Sequence, residues 1–227
     1  MTARDYSDST PDVTYTYDAT SVSNSKGKLT KVDNGFSRTE YTEFDLLGRV
    51  KKSKQTTDGT AYNEMEYTYN LSGALIEQKY PSGRLVKNIL NQNGDLSIVQ
   101  SKKNTSNGYF NYAHHFTYTA AGAVSSMQLG NGRWESATFN SRLQPTQIAL
   151  GVTQNATNLL DLDFTYGTTA NNGNVQSQTI TVPTVGSYAG FTATHNYTYD
   201  SLNRIKDANE NLTPNGGSSV QTWKQTF

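Results

Sequence analysis

The sequence lacks cysteine altogether and contains little proline and little apolar material. Its 227 residues include no Cys and five Pro, and only 34% of them are apolar. Without cysteine there is no disulfide, no thiolate–metal site and no cysteine nucleophile. No apolar run approaches the roughly 18 residues of a membrane-spanning helix, and the first six residues contain no apolar core of a signal peptide. We therefore predict no membrane span and no signal peptide in this chain.

The chain also has no excess of positive or negative charge, because 19 Lys and Arg balance 19 Asp and Glu. A neutral chain gives no electrostatic reason to expect nucleic acid or an anionic membrane as a partner. The mean hydropathy of −0.68 alone would favour disorder, but disorder also requires high net charge and few aromatics. Here 11% of residues are aromatic, including 15 Tyr. We predict a folded chain with a thin layer buried on one face, where Tyr supplies much of the buried area.

The sequence does contain a repeated phrase: a Tyr-x-Tyr-Asp tetrad, two free positions, a Gly, a variable residue and an aliphatic. The clearest copy runs from Tyr67 to Leu75, and further copies start near Phe44, Phe116 and Tyr197. The interval between copies varies from 21 residues, between Tyr69 and Leu90, to 33 residues later in the chain. Such a repeat indicates an array of equivalent structural units, and the uneven interval is typical of hairpins with outer loops of different lengths.

Each copy has the features of a β-hairpin. The two aromatics alternate with a polar residue, so both face one side of a strand. Asp or Asn followed three residues later by Gly fits a type I turn. Leu143 replaces the Gly in one copy and predicts a different turn there. No helical stripe is sustained; the nearest candidate, 149–162, lacks start and stop signals. The fold class that we predict is an all-β array of antiparallel β-hairpins.

The chemistry-bearing residues have simple structural explanations. Asp18, Asp45 and Asp200 recur at turns, where a carboxylate caps backbone N–H groups, so we interpret them as turn residues and not as acids or metal ligands. His114 and His115 are adjacent on a strand and should point to opposite faces, which argues against a shared metal. His195 stands alone. We predict no catalytic residue, no cofactor-binding residue and no metal ligand.

The repeated phrases resemble the Rhs, or YD-repeat, family, which includes bacterial Rhs polymorphic toxins, the B/C shell of Tc toxins and the YD shell of teneurins. Two linking phrases add to the resemblance. Residues Tyr80 to Arg84 look like the Tyr-Pro-Ser-Gly-Arg link between units, and Phe139 to Pro145 look like an Asn-x-Arg-Leu-Gln-Pro variant. The resemblance covers residues 14–227 as a repeat array, truncated at its C-terminal end, after an N-terminal lead-in of residues 1–13.

The resemblance implies a curved or spiral sheet that forms part of a hollow shell around a polypeptide. On this basis the chain is a structural, non-enzymatic segment of a shell that encapsulates a toxin or other passenger. Its partners are the remainder of the shell and the passenger, and its location is secreted or at the cell surface as part of a larger protein. Free sheet edges would let the isolated chain self-associate. The alternative is a cell-surface binding module for glycan or a protein partner.

The residues expected to build this wall are the repeat aromatics, the acid or amide that follows them, and the turn residues. They are Tyr15, Tyr17, Asp18, Phe44, Asp45, Gly48, Tyr67, Tyr69, Asn70, Gly73, Tyr80, Gly83, Arg84, Gly94, Phe116, Tyr118, Gly122, Gly132, Arg133, Phe139, Asn140, Phe164, Tyr166, Tyr197, Tyr199 and Asp200. We favour inward packing of these aromatics over a ligand platform, because they sit at fixed positions in every repeat.

Overall fold

The structure, a computed structural model, describes residues 2–169 and 171–227. Every regular element in those residues is a β-strand, and all strand pairs given below are antiparallel. The chain divides into two compact units, one ending at Asn111 and one running from Tyr112 to Phe227. The predicted all-β hairpin array is therefore confirmed. The helical candidate at 149–162 spans the end of one strand, a loop and the start of the next.

The first unit is built from strands that pair in chain order, with β5 contacting both β6 and β7. Its strands are β1 (Ala3–Arg4), β2 (Val13–Tyr17), β3 (Leu29–Asp33), β4 (Ser37–Phe44), β5 (Val50–Thr57), β6 (Thr60–Ala61), β7 (Met65–Tyr69), β8 (Leu75–Lys79), β9 (Leu85–Leu90) and β10 (Leu96–Lys102). Strand β1, from the predicted lead-in, pairs with the start of β2. Met1 lies outside the described residues, and the division at residue 13 stays a prediction.

The second unit repeats the same meander with longer strands. Its strands are β11 (Phe110–Tyr118, starting just before the boundary), β12 (Val124–Leu129), β13 (Trp134–Phe139), β14 (Pro145–Gly151), β15 (Leu160–Thr165), β16 (Ser177–Val182), β17 (Phe191–Tyr199), β18 (Ile205–Pro214) and β19 (Val220–Thr226). Each pairs with the next along the chain, so sequence neighbours are also neighbours in space. Local pairing of this kind needs no long loop closure.

One turn geometry recurs through both units. In the copy at 70–74, the N–H of Asn70 donates to the carbonyl of Ala74 at 3.0 Å, and the N–H of Gly73 donates to the carbonyl of Asn70 at 3.1 Å. This is a type I turn followed by a left-handed residue in a G1 bulge, a common three-residue hairpin loop. The same pair of hydrogen bonds closes turns 45–49, 70–74, 80–84, 91–95, 119–123, 129–133, 140–144 and 200–204.

The fourth residue of each of these turns has φ between +60° and +93°. Gly fills that place in most copies because it has no Cβ to oppose a left-handed backbone. Leu143 adopts the same conformation at φ +62°, and its N–H donates to the carbonyl of Asn140 at 2.9 Å. The prediction of a different turn at Leu143 is therefore wrong. The two hydrogen bonds and the flanking strands hold the backbone of Leu143 in a left-handed conformation that Leu rarely adopts.

We expect Gly73→Val to destabilise the protein. Gly73 has φ +93°, and an added Cβ would meet only the Arg49 Nη1 atom, at an ordinary 3.8 Å, so the cost comes from backbone strain alone. The free energy of unfolding should fall by about 1–3 kcal/mol, as measured by urea denaturation. Unchanged stability would contradict the turn.

Leu143→Gly is the matched control, and its expected effect on stability is opposite to that of Gly73→Val. The left-handed Leu143 is 58% exposed, so the change loses little packing. It removes a left-handed penalty of about 1–2 kcal/mol and adds an entropic cost of about 0.5–1 kcal/mol. Stability should stay equal or rise slightly. A loss as large as that of Gly73→Val would show that strain at this turn position is not the cause.

Candidate functional site: the aromatic wall and the turn ladder

The aromatic wall consists of the Tyr-x-Tyr positions on the strands that enter the repeated turns. In β7, Tyr67 and Tyr69 are half-buried while Thr68 between them is exposed. In β17, Tyr197 and Tyr199 are again half-buried around an exposed Thr. The alternation places both rings of a repeat on one face of the sheet. Further half-buried members at these positions are Tyr15, Phe116, Tyr118, Phe139 and Phe164.

The depth of burial differs among the wall residues. Phe44 and Tyr166 are the most buried, at 4% and 8% exposure. Tyr17 is 41% exposed. It ends β2, where a loop closed by a hydrogen bond from the Asp18 N–H to the Lys28 carbonyl replaces the short turn. Asp18 is the left-handed residue that starts this loop, at φ +54°.

The second Tyr of a repeat hydrogen-bonds the backbone of the preceding repeat. The hydroxyl of Tyr69 donates to the carbonyl of Val50 at 3.1 Å, that of Tyr166 to Pro145 at 2.9 Å, and that of Tyr199 to Val175 at 2.7 Å. Each acceptor lies two residues after a left-handed residue, namely Gly48, Leu143 and Gly173. The same atoms thus meet at three of the repeats, and these repeats join their predecessors through side chains as well as through strand pairing.

Burial also changes the ionisation of these phenols. Desolvation raises the pKa of Tyr69, Tyr166 and Tyr199 above its ordinary value. A raised pKa keeps each hydroxyl protonated, so it stays a hydrogen-bond donor. Buried Tyr hydroxyls normally find such a partner. The phenols therefore act as donors to fixed carbonyls.

The acids of the tetrads are held inside their own turns. The Asp45 Oδ1 atom accepts the N–H groups of Leu47 and Arg49, both at 2.9 Å, and its Oδ2 atom accepts from the Arg49 Nε at 2.6 Å. Asp200 makes the same set with Leu202 and Arg204. Hydrogen bonds from the Arg204 N–H and then its side chain lower the pKa of Asp200. A carboxylate engaged in this way is a turn cap and has no free oxygen for acid–base work.

Asn fills the same role in other copies. Asn70 Oδ1 accepts the Ala74 N–H at 2.8 Å, and Asn140 Oδ1 accepts the N–H groups of Arg142 and Gln144 at 2.9 and 3.1 Å. The Arg at the fifth position of the acid-containing turns, Arg49 and Arg204, was missed as a cap partner in the sequence. The sequence does contain a signal for this pair. An Asp is followed four residues later by an Arg both at 45–49 and at 200–204.

Neighbouring turns also contact one another, and we call this row of contacts the turn ladder. In the first unit, the Arg49 guanidinium lies 4.7 Å from the centre of the Tyr69 ring and donates to the Asn70 carbonyl at 3.2 Å. On the other side of this turn, the Asn24 side-chain amide donates to the Phe44 carbonyl at 3.0 Å. The ladder there joins the loop 18–28, turn 45–49 and turn 70–74.

In the second unit, the ladder is made mostly of side-chain amides. The amides of Gln144 and Asn171 exchange two hydrogen bonds of 2.7 and 3.0 Å, and Arg142 donates to the Asn171 carbonyl. Asn172 and Asn174 both donate to the Asn203 Oδ1 atom, at 2.8 and 3.0 Å. Nothing in the sequence pattern singled out Asn171, Asn172 or Asn174, because their loop lacks the repeated phrase.

Turns 80–84 and 129–133 lie at the strand ends opposite to the tetrad turns of their units. Turn 91–95, which contains Gly94, and turn 140–144 of the second linking phrase lie on the tetrad side. Arg84 donates to the hydroxyl of buried Ser101 at 2.9 Å, and Tyr80, which opens turn 80–84, is 36% exposed. The Arg133 N–H donates to the Asn131 side chain at 3.0 Å. The remaining turn glycines, Gly83, Gly94, Gly122 and Gly132, each have φ between +80° and +89°.

One further half-buried tyrosine in the first unit was missed. The Tyr109 hydroxyl donates to the Glu77 Oε2 atom at 2.8 Å, and the Lys102 ammonium lies 4.6 Å from the ring centre. Burial and then the Glu77 carboxylate raise the pKa of Tyr109 to about 12. Tyr109 falls outside the tetrads, so the repeat pattern gave no signal for it.

The histidines depart from the prediction. The Nδ1 atoms of His114 and His115 are 2.9 Å apart, and the two ring centres are separated by 4.4 Å. The expectation that these neighbours point to opposite faces is therefore wrong. His115 has φ +55°, which breaks the strand alternation. Burial and the neighbouring imidazole lower the pKa of His114.

His195 belongs to a separate polar cluster in the second unit. Its Nε2 atom lies 2.7 Å from Glu210, its Nδ1 atom 3.3 Å from the Tyr197 hydroxyl, and its ring packs against Trp223. The residues described by the structure contain no group of three His, Cys, Asp or Glu side chains placed to hold a metal ion. They also contain no helix long and apolar enough to span a membrane.

Solved structures that share this architecture include Tc toxin proteins. The crystal structure of TcdB2-TccC3-Cdc42 aligns with a TM-score of 0.69 at 15% identity, over 92% of this chain and 11% of that chain. The Photorhabdus luminescens Tc holotoxin pore with the TccC3-D651A mutation aligns at 0.67 and 14% identity, over 96% of this chain and 13% of that chain. TcdB2-TccC3 without its hypervariable C-terminal region aligns with a TM-score of 0.67 at 13% identity, over 99% of this chain and 14% of that chain.

This chain has the fold of the Tc toxin Rhs shell proteins. The resemblance to YD-repeat shells that the sequence predicts is confirmed at the level of the fold. The chain spans 11% to 14% of the length of these proteins. No protein-family model matches the sequence, and no curated protein sequence matches it either.

We expect Tyr199→Phe to weaken this Rhs-shell fold. The change removes the hydroxyl that donates to the Val175 carbonyl at 2.7 Å and leaves that carbonyl without this donor. The free energy of unfolding should fall by about 0.5–1.5 kcal/mol, measured by urea denaturation. Tyr188→Phe is the control, because Tyr188 is 81% exposed, and should change little. Equal effects of the two changes would argue against a stabilising role for the hydroxyl.

Proposed function

We propose that this chain is a structural, non-enzymatic segment of an Rhs-type β shell that encapsulates a toxin or other polypeptide passenger. The observation that carries the proposal is the recurrent bond from the second tetrad Tyr to the preceding repeat. At three repeats it joins a hairpin to its predecessor by the same atoms, which suits a wall that grows by addition of equivalent units. The likeness in fold to Tc toxin Rhs shell proteins supports the same function.

The mechanism that we propose is mechanical. Antiparallel hydrogen bonds between consecutive strands make a continuous barrier, and the wall aromatics on one face seal it by packing. The turn ladder holds neighbouring turns together, so that adjacent hairpins do not separate at the ends of their strands. Such a barrier would separate a passenger from proteases and from the surrounding cytosol.

The tetrad acids support the non-enzymatic assignment. Asp45 and Asp200 each accept two backbone N–H groups and an Arg side chain. Repetition of this arrangement at several turns is what a structural role requires, whereas a catalytic role needs one unique site. His195 is engaged on both ring nitrogens, which also argues against its use as a base.

The partners follow from the proposal. In it, residues 14–227 are the repeat array and 1–13 are a lead-in, while the remainder of the shell and its passenger complete the assembly. The location that we propose is secreted, as a part of a larger protein. One of the aligned structures is TcdB2-TccC3 without a hypervariable C-terminal region, and we propose that a variable passenger here occupies a comparable place.

A binding module for glycan is the second candidate, and one groove of the first unit favours it. Tyr62 and Tyr80 line an open groove together with polar side chains of Asn63, Glu66 and Lys79. Exposed rings beside hydrogen-bonding groups are suited to sugars. Lys79 and Glu66 already pair at 2.6 Å, which leaves fewer free groups for a ligand. Glycan binding lost in Tyr62→Ala but kept in Tyr199→Phe would favour this function.

The test of the shell function uses the full reading frame that encodes this chain. The purified protein is treated with protease, and the survival of segments outside the repeat array is followed by mass spectrometry. The shell predicts that a segment resists cleavage in the intact protein and is cleaved once the wall is weakened by Gly73→Val and Tyr199→Phe together. A segment cleaved equally before and after that change would overturn encapsulation, while binding of glycan by the same protein would support the second candidate.

We also expect the isolated chain to self-associate. Strand β19 is exposed at every position, and Val220 and Phe227 near its ends are 60% and 69% exposed. An accessible strand with apolar side chains offers a pairing edge to another copy. Sedimentation velocity should show oligomers that increase with concentration, and Val220→Lys should reduce them. A monomer over the whole concentration range would contradict this expectation.

A further inference from the structure

Among the described residues, one residue inside a β-strand has a strained backbone conformation. His115 lies within β11 at φ +55°, whereas the other non-glycine residues with positive φ lie in turns or loops. His114 is opposite Gln128 and Thr117 is opposite Ser126, so β11 contains one extra residue between these pairs. This is a β-bulge, a feature that redirects a side chain and is frequent beside functional sites. An outlier of this kind calls for an explanation that the repeat does not supply.

The bulge brings two imidazoles and one amide oxygen to a common point. The Nδ1 atoms of His114 and His115 are 2.9 Å apart, and the Gln128 Oε1 atom lies 3.0 Å from the His115 Nδ1 atom. The Gln128 Nε2 atom donates to the Gly132 carbonyl at 3.3 Å, so the amide is oriented with its oxygen toward the histidines. Trp134 stacks on the His115 ring, 5.9 Å between centres and 10° from parallel.

We propose that His114, His115 and Gln128 form a site for a divalent transition metal, Cu²⁺ or Ni²⁺. The ligands are the two Nδ1 atoms and the Gln128 Oε1 atom, with solvent completing the coordination. Imidazole nitrogen and amide oxygen are ligands that tetragonal Cu²⁺ and Ni²⁺ accept. This site is independent of the shell function, because it uses none of the wall or turn residues.

The spacing of the nitrogens selects among metals. Ligand atoms about 2.0–2.1 Å from a metal stand about 2.9 Å apart at a right angle and about 3.4 Å apart at a tetrahedral angle. The observed 2.9 Å separation therefore matches the distance between adjacent ligand positions of a tetragonal ion. Tetrahedral Zn²⁺ would require the two imidazoles to separate.

The proton balance of binding is simple. In the free protein, the His115 Nδ1–H donates to the Gln128 oxygen and to the His114 Nδ1 atom, since an amide oxygen only accepts and the two nitrogens lie 2.9 Å apart. A metal ligand must be the neutral imidazole with its lone pair at Nδ1, so that each ring carries its proton on Nε2. Binding moves the Nδ1 proton to Nε2 through solvent, and the net charge of the two rings is unchanged.

The chain offers a matched control in His195. It is also a strand histidine beside a tryptophan, Trp223, at 5.6 Å. Both of its ring nitrogens are already engaged, by Glu210 and Tyr197. His195→Ala therefore removes the same residue type and leaves the proposed ligands in place.

The experiment titrates the untagged 227-residue chain with CuCl₂ in a buffer that contains glycine as a weak competitor. Binding is followed by quenching of tryptophan fluorescence, and the ligands by electron paramagnetic resonance. We expect one equivalent of Cu²⁺ to bind with the spectroscopic splitting of two nitrogens. His114→Ala and His115→Gly should each weaken binding at least tenfold and reduce the splitting to one nitrogen. His195→Ala should stay within twofold.

His115→Gly keeps the experiment decisive, because Gly accepts φ +55° and preserves the bulge; circular dichroism checks that the sheet is intact. Binding of equal strength in the unaltered protein, His114→Ala and His115→Gly would overturn the proposal. So would a loss of binding in His195→Ala as large as in the other two, since that result would assign the copper to scattered histidines.

Discussion

The left-handed residue in each repeated turn is the constraint on which the rest of the structure depends. It closes a three-residue loop with two backbone hydrogen bonds, as at 70–74, and so fixes how the two strands of a hairpin align. Because side chains alternate along a strand, that alignment decides which face the aromatics occupy. A shift of one residue would move Tyr67 and Tyr69 to the face that Thr68 now occupies. The aromatic wall is thus a consequence of turn geometry.

The chain has no disulfide and few fully buried side chains among its described residues, so its cohesion must come from elsewhere. The hydroxyls of the second tetrad Tyr supply part of it by binding a carbonyl of the preceding repeat. The turn ladder supplies another part, and in the second unit it depends on amides such as Gln144 and Asn171. These amides join turn 140–144 to the loop at 171–174, and that loop in turn to Asn203 of turn 200–204.

Much of this arrangement could be predicted from the sequence, because turn residues and alternation act locally. The hairpins, the type I turns and the shared face of the tetrad aromatics all follow from residues close together in the chain. Leu143 shows the limit: two backbone hydrogen bonds and the flanking strands hold Leu in a conformation that its local preference opposes. The bulge at His115 carried no signal either, since its cause is the strand register against Gln128 and Ser126. The Asn residues of the 171–174 loop were missed because their partners lie about 30 residues away.

The same reasoning explains why the fold is shared with Tc toxin shell proteins at only 13% to 15% identity. What each turn requires is a left-handed fourth residue and two backbone hydrogen bonds, and neither depends on one amino acid. Within this chain the first position is filled by Asp, Asn, Thr, Tyr or Leu, and the fourth by Gly, Asn or Leu, with the same hydrogen bonds. Backbone groups carry the strand pairing and accept the Tyr hydroxyls. A fold held mainly by backbone atoms can keep its geometry while most side chains change.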